Sequence, residues 1–191
     1  MRRINRPSCP NPTALVTNYK HPDNKEALVN ASFEKCSYCE SEVTHIYFGD
    51  IEHIRPKSKY PNLEFEWSNL GFVCATCNNA KSNKYDEGTP YINPYEENPD
   101  DFLIAVGVFL KNKQGNERGE LTILDIRLNR PELLEKRQTK LESIGKTIDA
   151  CMRTRNESLK NNALKAIKQE GNEDKEYSFF VKMLLQLHQL I

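Results

Sequence analysis

The chain has 191 residues and carries 27 Lys plus Arg against 27 Asp plus Glu, so its formal net charge is zero. That length holds one domain with a real core, or a compact module with an extension. The charge balance excludes binding of nucleic acid through bulk positive charge, leaving a local patch, a metal or a partner as the means.

No apolar run approaches the ~20 residues needed to span a membrane. The start, MRRINRPSCPNP, has arginines but no apolar stretch behind them, which is not the pattern of a secretory signal. The expectation is a cytoplasmic protein. In a reducing compartment its six cysteines point to metal ligands or buried thiols rather than disulfides.

Residues 1–12 read as an extended basic arm whose Arg2, Arg3 and Arg6 either touch phosphate or stay solvated. Residues 13–32 hold one helix, with Asp23 or Asn24 as its cap before Lys25-Glu-Ala-Leu-Val. Cys36-Ser-Tyr-Cys39 makes a tight turn. Thr44 to Phe48 alternates and is β-branched or aromatic, which predicts a short strand ended by Gly49, with pairing continued by Ile51 to Ile54. Pro56 and Pro61 hold a loop. Phe72-Val-Cys predicts a second strand, and Cys77 to Tyr85 a helix.

Three prolines, Pro90, Pro94 and Pro99, make residues 86–100 a loop. The run FLIAVGVFL, Phe102 to Leu110, predicts a buried strand. It is expected to turn through Lys111 to Gly119 and return as a strand over Glu120 to Leu124. From Pro131 the chain is helical, with Pro131 at the first helical position. Apolar residues recur at helical spacing in three segments, the last being FFVKMLLQLHQLI. That last segment either docks in the core or offers a partner-binding face. The fold class is α+β: a small ββα zinc module with an N-terminal arm and helix, then a β-hairpin and a helical C-terminal region. The expected division is 1–95 for the arm and module and 96–191 for the remainder.

The chemistry concentrates between Cys36 and Lys84. Two Cys-x-x-Cys pairs, Cys36/Cys39 and Cys74/Cys77, match a tetrahedral zinc site, because each two-residue gap lets both sulfurs of a turn face one metal. Four thiolates close the coordination sphere, so this zinc is structural. No thioredoxin-like strand-helix context supports a redox role for either pair, and Cys9 and Cys151 stand alone without one. The long insert between the pairs carries Glu52-His53, Asn69, Asn78 and Lys81. A histidine near its reference pKa of ~6.5 takes a proton from water at neutral pH. Oxygen donors beside it suit a hard cation.

Glu52-His53-Ile-x-Pro, Trp67-Ser-Asn69-Leu and Cys74-x-x-Cys77-Asn78-x-x-Lys81 resemble the ββα-metal motif of HNH endonucleases of the cysteine-clamped subtype. The resemblance implies His53 as general base, Glu52 and Asn78 as ligands of a catalytic Mg²⁺ or Mn²⁺, and Asn69 as a brace of the loop. Asp50 in place of Glu52 and Asn79 in place of Asn78 remain open, and His45 reads as structural. Arg55, Lys57, Lys81 and Lys84 supply cations for substrate phosphates. In the family the acidic position is more often Asp and the third position often His, whereas this chain has Glu and Asn. More faintly, the basic start, CSYCE, EHIRPKS, EWSNL, Asn93-Pro94 and Leu128-Asn-Arg-Pro resemble the HNH subunits of Septu-type anti-phage systems. That implies a nuclease acting on DNA or RNA with a PtuA-type ATPase partner. The competing expectation is a zinc-stabilised module that binds nucleic acid or protein without cutting.

Overall fold

The computed structural model describes residues 1–44 and 48–191. Two short helices, α1 (Pro12–Leu15) and α2 (Pro22–Ala31), precede a hairpin of β1 (Asp50–His53) and β2 (Leu70–Val73). Helix α3 (Ala75–Lys81) follows β2 directly and completes a ββα unit. A second hairpin pairs β3 (Leu103–Val106) with β4 (Phe109–Asn112). Four helices finish the chain: α4 (Glu117–Asp125), α5 (Pro131–Arg153), α6 (Glu157–Gln169) and α7 (Ser178–Leu187). This is the α+β arrangement that the sequence implied.

The first hairpin is antiparallel, with Glu52 opposite Gly71 and His53 opposite Leu70. Its entry depends on Gly49, which has φ +60°, and an ideal Cβ there would lie 2.2 Å from Phe72 Cε2. Only glycine fits both the left-handed backbone and the close approach of that ring. The strand expected over Thr44 to Phe48 falls largely outside the described residues, as does His45. Of its two ends, Thr44 lies in a turn and Phe48 is exposed outside any strand.

The second hairpin differs from the expectation in a specific way. The turn lies inside the apolar run, between Val106 and Phe109, where Gly107 has φ +58°. The segment Glu120–Leu124 belongs to α4 and not to a strand. Asn116 caps that helix by accepting from Gly119 N at 2.7 Å, so the local cap settles the competition. The N-terminal helix is likewise broken in two, and α2 begins at Pro22 with His21 at the cap position. Asn24 is buried and bridges to Asn11, accepting from its backbone N at 2.9 Å and donating to its O at 3.0 Å.

One hydrophobic cluster runs through the described chain from Met1 and Ile4, through Phe72 and Ile92, to Phe179 and Phe180. A second, smaller cluster joins Ile144, Ile148, Ile167, Val181 and Leu185 between α5, α6 and α7. Helix α7 buries Phe179, Phe180, Val181 and Leu185, which places the apolar C-terminal segment in the core. The arm is not free either. Arg6 donates to the backbone oxygens of Trp67 at 2.8 Å and Leu70 at 2.7 Å, and its guanidinium sits 4.3 Å over the Tyr95 ring.

Candidate active site and zinc clamp

The clamp is built from two turns brought together by the first hairpin. Cys36 and Cys39 sit in a turn closed by Glu40 N donating to Cys36 O at 3.0 Å, and Ser37 N donates to Phe72 O at 3.1 Å. Cys74 caps α3 at the end of β2, and Cys77 lies one helical turn on. The ligand sulfurs of Cys36, Cys39, Cys74 and Cys77 all lie within 4.8 Å of one another. Cys39 Sγ and Cys74 Sγ are 3.9 Å apart, close to the ~3.8 Å edge of a tetrahedron with ~2.3 Å Zn–S bonds.

Without a metal the four thiols cannot all ionise. Hydrogen bonds from Cys36 pull Cys39 and Cys74 below the ordinary thiol range, while burial pushes Cys36 up and the hydrogen bond with Cys36 pushes Cys77 up. A set of four clustered thiols, three of them buried, with that conflict fits one Zn²⁺. Arg130, at the head of α5, places Nη1 3.5 Å from Cys77 Sγ. Nothing in the sequence pattern marks it beyond its place in Leu128-Asn-Arg-Pro.

Strand alternation puts neighbouring residues of β1 on opposite faces. Asp50 and Glu52 meet α3. Asn78 Nδ2 donates to Asp50 Oδ2 at 3.2 Å, and Lys81 Nζ lies 3.2 Å from Glu52 Oε2. His53 faces the other way. Its Nε2 is 2.9 Å from the backbone oxygen of Glu64, and its ring packs edge-on against Tyr19 with centroids 4.6 Å apart. A carbonyl only accepts, so Nε2 carries the proton and Nδ1 keeps its lone pair. Burial lowers the His53 pKa from its ordinary value, which keeps the imidazole neutral to lower pH.

Asn69 ties the loop between the strands to its own ends. Its Oδ1 accepts from Arg55 N at 2.8 Å, and its Nδ2 donates to Arg55 O at 3.0 Å and Leu63 O at 3.1 Å. Asn78 is half-buried, while Asn79 is exposed. Among the expected cations, Arg55, Lys57 and Lys84 are exposed. Lys57 holds Glu64 at 2.7 Å, and Lys84 is 3.6 Å from Asp125. Lys81 departs from its expected role as a phosphate-facing cation. It is 1% exposed and donates to His53 O at 2.7 Å beneath the hairpin. Its charge is taken up by that carbonyl and by Glu52.

The oxygen donors fit a hard cation in type. Glu52 Oε2 is buried without a hydrogen-bond partner, although Lys81 is within ion-pair distance outside hydrogen-bond geometry. The Tyr38 hydroxyl is also buried and unpartnered. Carboxylate and amide oxygens are the ligands Mg²⁺ and Mn²⁺ take.

Residues 36–84 match the HNH endonuclease family. The chain is 33% identical over 114 residues to the Septu protein PtuB of Bacillus thuringiensis, covering 59% of this chain and 44% of that protein. It is 29% identical over 150 residues to the Septu protein PtuB of Bacillus mycoides strain KBAB4, covering 62% of this chain and 51% of that protein. The chain thus spans about half the length of the curated relatives it matches. Among the described residues, no helix is long and apolar enough to cross a membrane. The ββα unit and its four-cysteine cluster thus lie within the stretch that matches HNH endonucleases, in a chain similar to Septu protein PtuB.

Proposed function

We propose that the chain is a metal-dependent HNH endonuclease that hydrolyses phosphodiester bonds of DNA or RNA. It serves as the nuclease subunit of a cytoplasmic anti-phage complex with a PtuA-type ATPase. The observation that carries this is His53, held with Nε2 on the Glu64 carbonyl and Nδ1 unprotonated, in a hairpin clamped by four cysteines. The match to HNH endonucleases over residues 36–84 and the likeness to Septu protein PtuB support it.

In the reaction His53 takes a proton from the attacking water at Nδ1, and the Glu64 carbonyl fixes the ring through Nε2. The new bond forms between that water oxygen and phosphorus, and the bond to the leaving sugar oxygen breaks. Asn69 keeps the Arg55 backbone, and with it the strand end at His53, in place. Arg55, Lys57 and Lys84 are the exposed cations for the phosphate chain. Glu52 and Asn78, with Asp50 beside Asn78, are the residues that would hold Mg²⁺ or Mn²⁺. Bound there, it would supply positive charge against that developing on the phosphoryl oxygens. Residues 1–95 then form the nuclease part and 96–191 the part that docks the partner. The exposed Leu159 and Leu187 in the C-terminal helices, and Ile191 beyond them, support that division.

The second reading, a zinc-stabilised binding module without catalysis, is favoured by one observation: Lys81 already occupies Glu52. One assay separates the two. The full chain, purified with its ATPase partner, is given DNA and RNA with Mg²⁺ or Mn²⁺, alongside His53→Ala. Cleavage by the parent and none by His53→Ala supports the nuclease. Equal cleavage by both, or none by either, overturns it.

A further inference from the structure

Beside the HNH hairpin lies a recess of about 470 Å³, of whose lining the reaction above uses only Arg55 and Asn69. Its lining includes Arg55, Asn69, Tyr85, Tyr91, Glu97 and Arg118. That volume falls within the ~300–1,000 Å³ of small-molecule sites. Two tyrosines line it, Tyr85 and Tyr91, with rings edge-on at 6.2 Å, and Tyr60 packs edge-on behind Tyr85 at 5.6 Å, outside the lining. The Arg55 guanidinium sits 5.9 Å from both the Tyr60 and Tyr85 rings, and its Nε donates to the Tyr85 hydroxyl at 3.1 Å. Tyr91 is buried, whereas Tyr85 and Tyr60 are half-exposed.

The polar wall is rigid and largely neutral. Arg118 donates to both Glu97 oxygens at 2.8 and 2.7 Å, and to Pro90 O at 2.8 Å. Arg118 thereby balances the Glu97 carboxylate, and with Arg55 and the exposed Glu96 the formal charge of the lining sums to zero. The recess is also joined to the candidate active site. Arg55, whose backbone Asn69 grips on both sides, lies two residues beyond His53 in the sequence. Two residues span at most ~7 Å, so the Arg55 side of the recess adjoins the strand end at His53.

Tyr85, the half-exposed tyrosine of the lining, beside the Arg55 guanidinium is a surface on which an unpaired base can stack, and a base inside a duplex has no free face to offer it. A chain with no net charge gains from such a hold, because stacking does not depend on a basic excess. We infer that this recess takes one unpaired nucleobase next to the phosphate to be cut, so that the preferred substrate is single-stranded or locally opened nucleic acid. The inference rests on the nuclease reading and names the substrate form that it takes.

The test uses the full chain carrying His53→Ala, so that bound strands stay intact, with 12-nucleotide single strands and the matching duplex as probes. Tyr85→Leu weakens single-strand binding about 5- to 150-fold, the worth of one base–aromatic stack. Tyr85→Phe, which keeps the ring, binds like the parent, and duplex binding is the weaker of the two in the parent and unchanged in either variant. Circular dichroism and zinc content check that Tyr85→Leu is folded. A single strand carrying 2-aminopurine gives a readout in the parent itself, because stacking on the tyrosine quenches its fluorescence. Unaltered single-strand affinity in Tyr85→Leu, tighter duplex binding, no quenching, or no binding of any strand overturns the inference. These outcomes are separate from the cleavage assay. A recess without a base leaves His53-dependent cleavage standing, and cleavage that survives His53→Ala removes the nuclease mechanism whatever Tyr85 does.

Discussion

Lys81 and Glu52 form a buried ion pair: Nζ lies 3.2 Å from Oε2, and both side chains are 2% exposed. The pair locks α3 against β1, and Lys81 adds a bond to the His53 carbonyl at 2.7 Å. Removing one partner leaves a buried charge uncompensated, which costs ~3–5 kcal/mol. Lys81→Met is therefore expected to destabilise the chain by that order in zinc-replete denaturant unfolding. Lys81→Met combined with Glu52→Gln should recover part of the loss, since the orphaned charge is gone. A double variant no more stable than Lys81→Met would mean that the pair does not set the cost.

His53 gives a pH dependence with a definite sign. Burial lowers its pKa in the folded chain, while the unfolded value is ~6.5. A general base works when deprotonated, so cleavage should hold its plateau to a pH below ~6.5 and then fall. Stability follows the same direction. The unfolded chain binds this proton more readily, so the His53 contribution is present above ~6.5 and is lost as pH falls toward the folded pKa. Tyr19, edge-on to the ring at 4.6 Å, supplies part of the burial. Tyr19→Ala should raise the His53 pKa toward its ordinary value and move the acid limb of the rate profile upward. An NMR titration of the imidazole resonances reads the shift directly, and an unmoved titration would assign the burial elsewhere.

The zinc clamp predicts a cooperative loss. Structural zinc in small modules contributes ~10–16 kcal/mol apparent, as large as the whole ~5–15 kcal/mol by which ordinary domains are stable. Among its described residues, the segment 36–84 has a hairpin of two four-residue strands, a seven-residue helix and two three-residue 3-10 turns beside the clamp. Cys74→Ser or exhaustive chelation is expected to unfold this segment. Hydrogen exchange should show lost protection at β1 and β2. Full protection in the chelated chain would contradict the zinc assignment.

Some of this was legible in sequence for local reasons and some was not. The cysteine spacing, the strand-loop-strand-helix order and Pro131 at the start of α5 are set by neighbours in the chain, and the structure has all three. The second hairpin was misplaced because one glycine, Gly107, turns the chain inside an apolar run that reads as a single strand. Asn116 then caps a helix where a return strand was expected. The roles of Arg6 and Lys81 depend on distant partners. Arg6 meets the Trp67 and Leu70 carbonyls, and Lys81 meets Glu52 and His53, pairings that no local pattern encodes. The same holds for Asp50, which Asn78 reaches only because α3 folds back on β1.

Arg130 ties the C-terminal helices to the clamp. It precedes Pro131 at the head of α5, and its Nη1 points at Cys77 Sγ from 3.5 Å while also donating to the Arg127 carbonyl at 3.3 Å. A zinc bound by four thiolates carries net negative charge, so a guanidinium against one sulfur stabilises the loaded state. Residues that touch metal ligands in this way are worth ~10–100-fold in metal affinity. Arg130→Gln should lower zinc affinity by that order in competition with a chromogenic chelator. Arg130→Lys, which keeps the charge but loses the planar fork, should fall between the two. The effect is expected to fade as salt rises only weakly, because the contact is half-buried and poorly screened. Zinc retention by Arg130→Gln equal to that of the parent would reduce Arg130 to a helix-start residue and leave the clamp independent of α5.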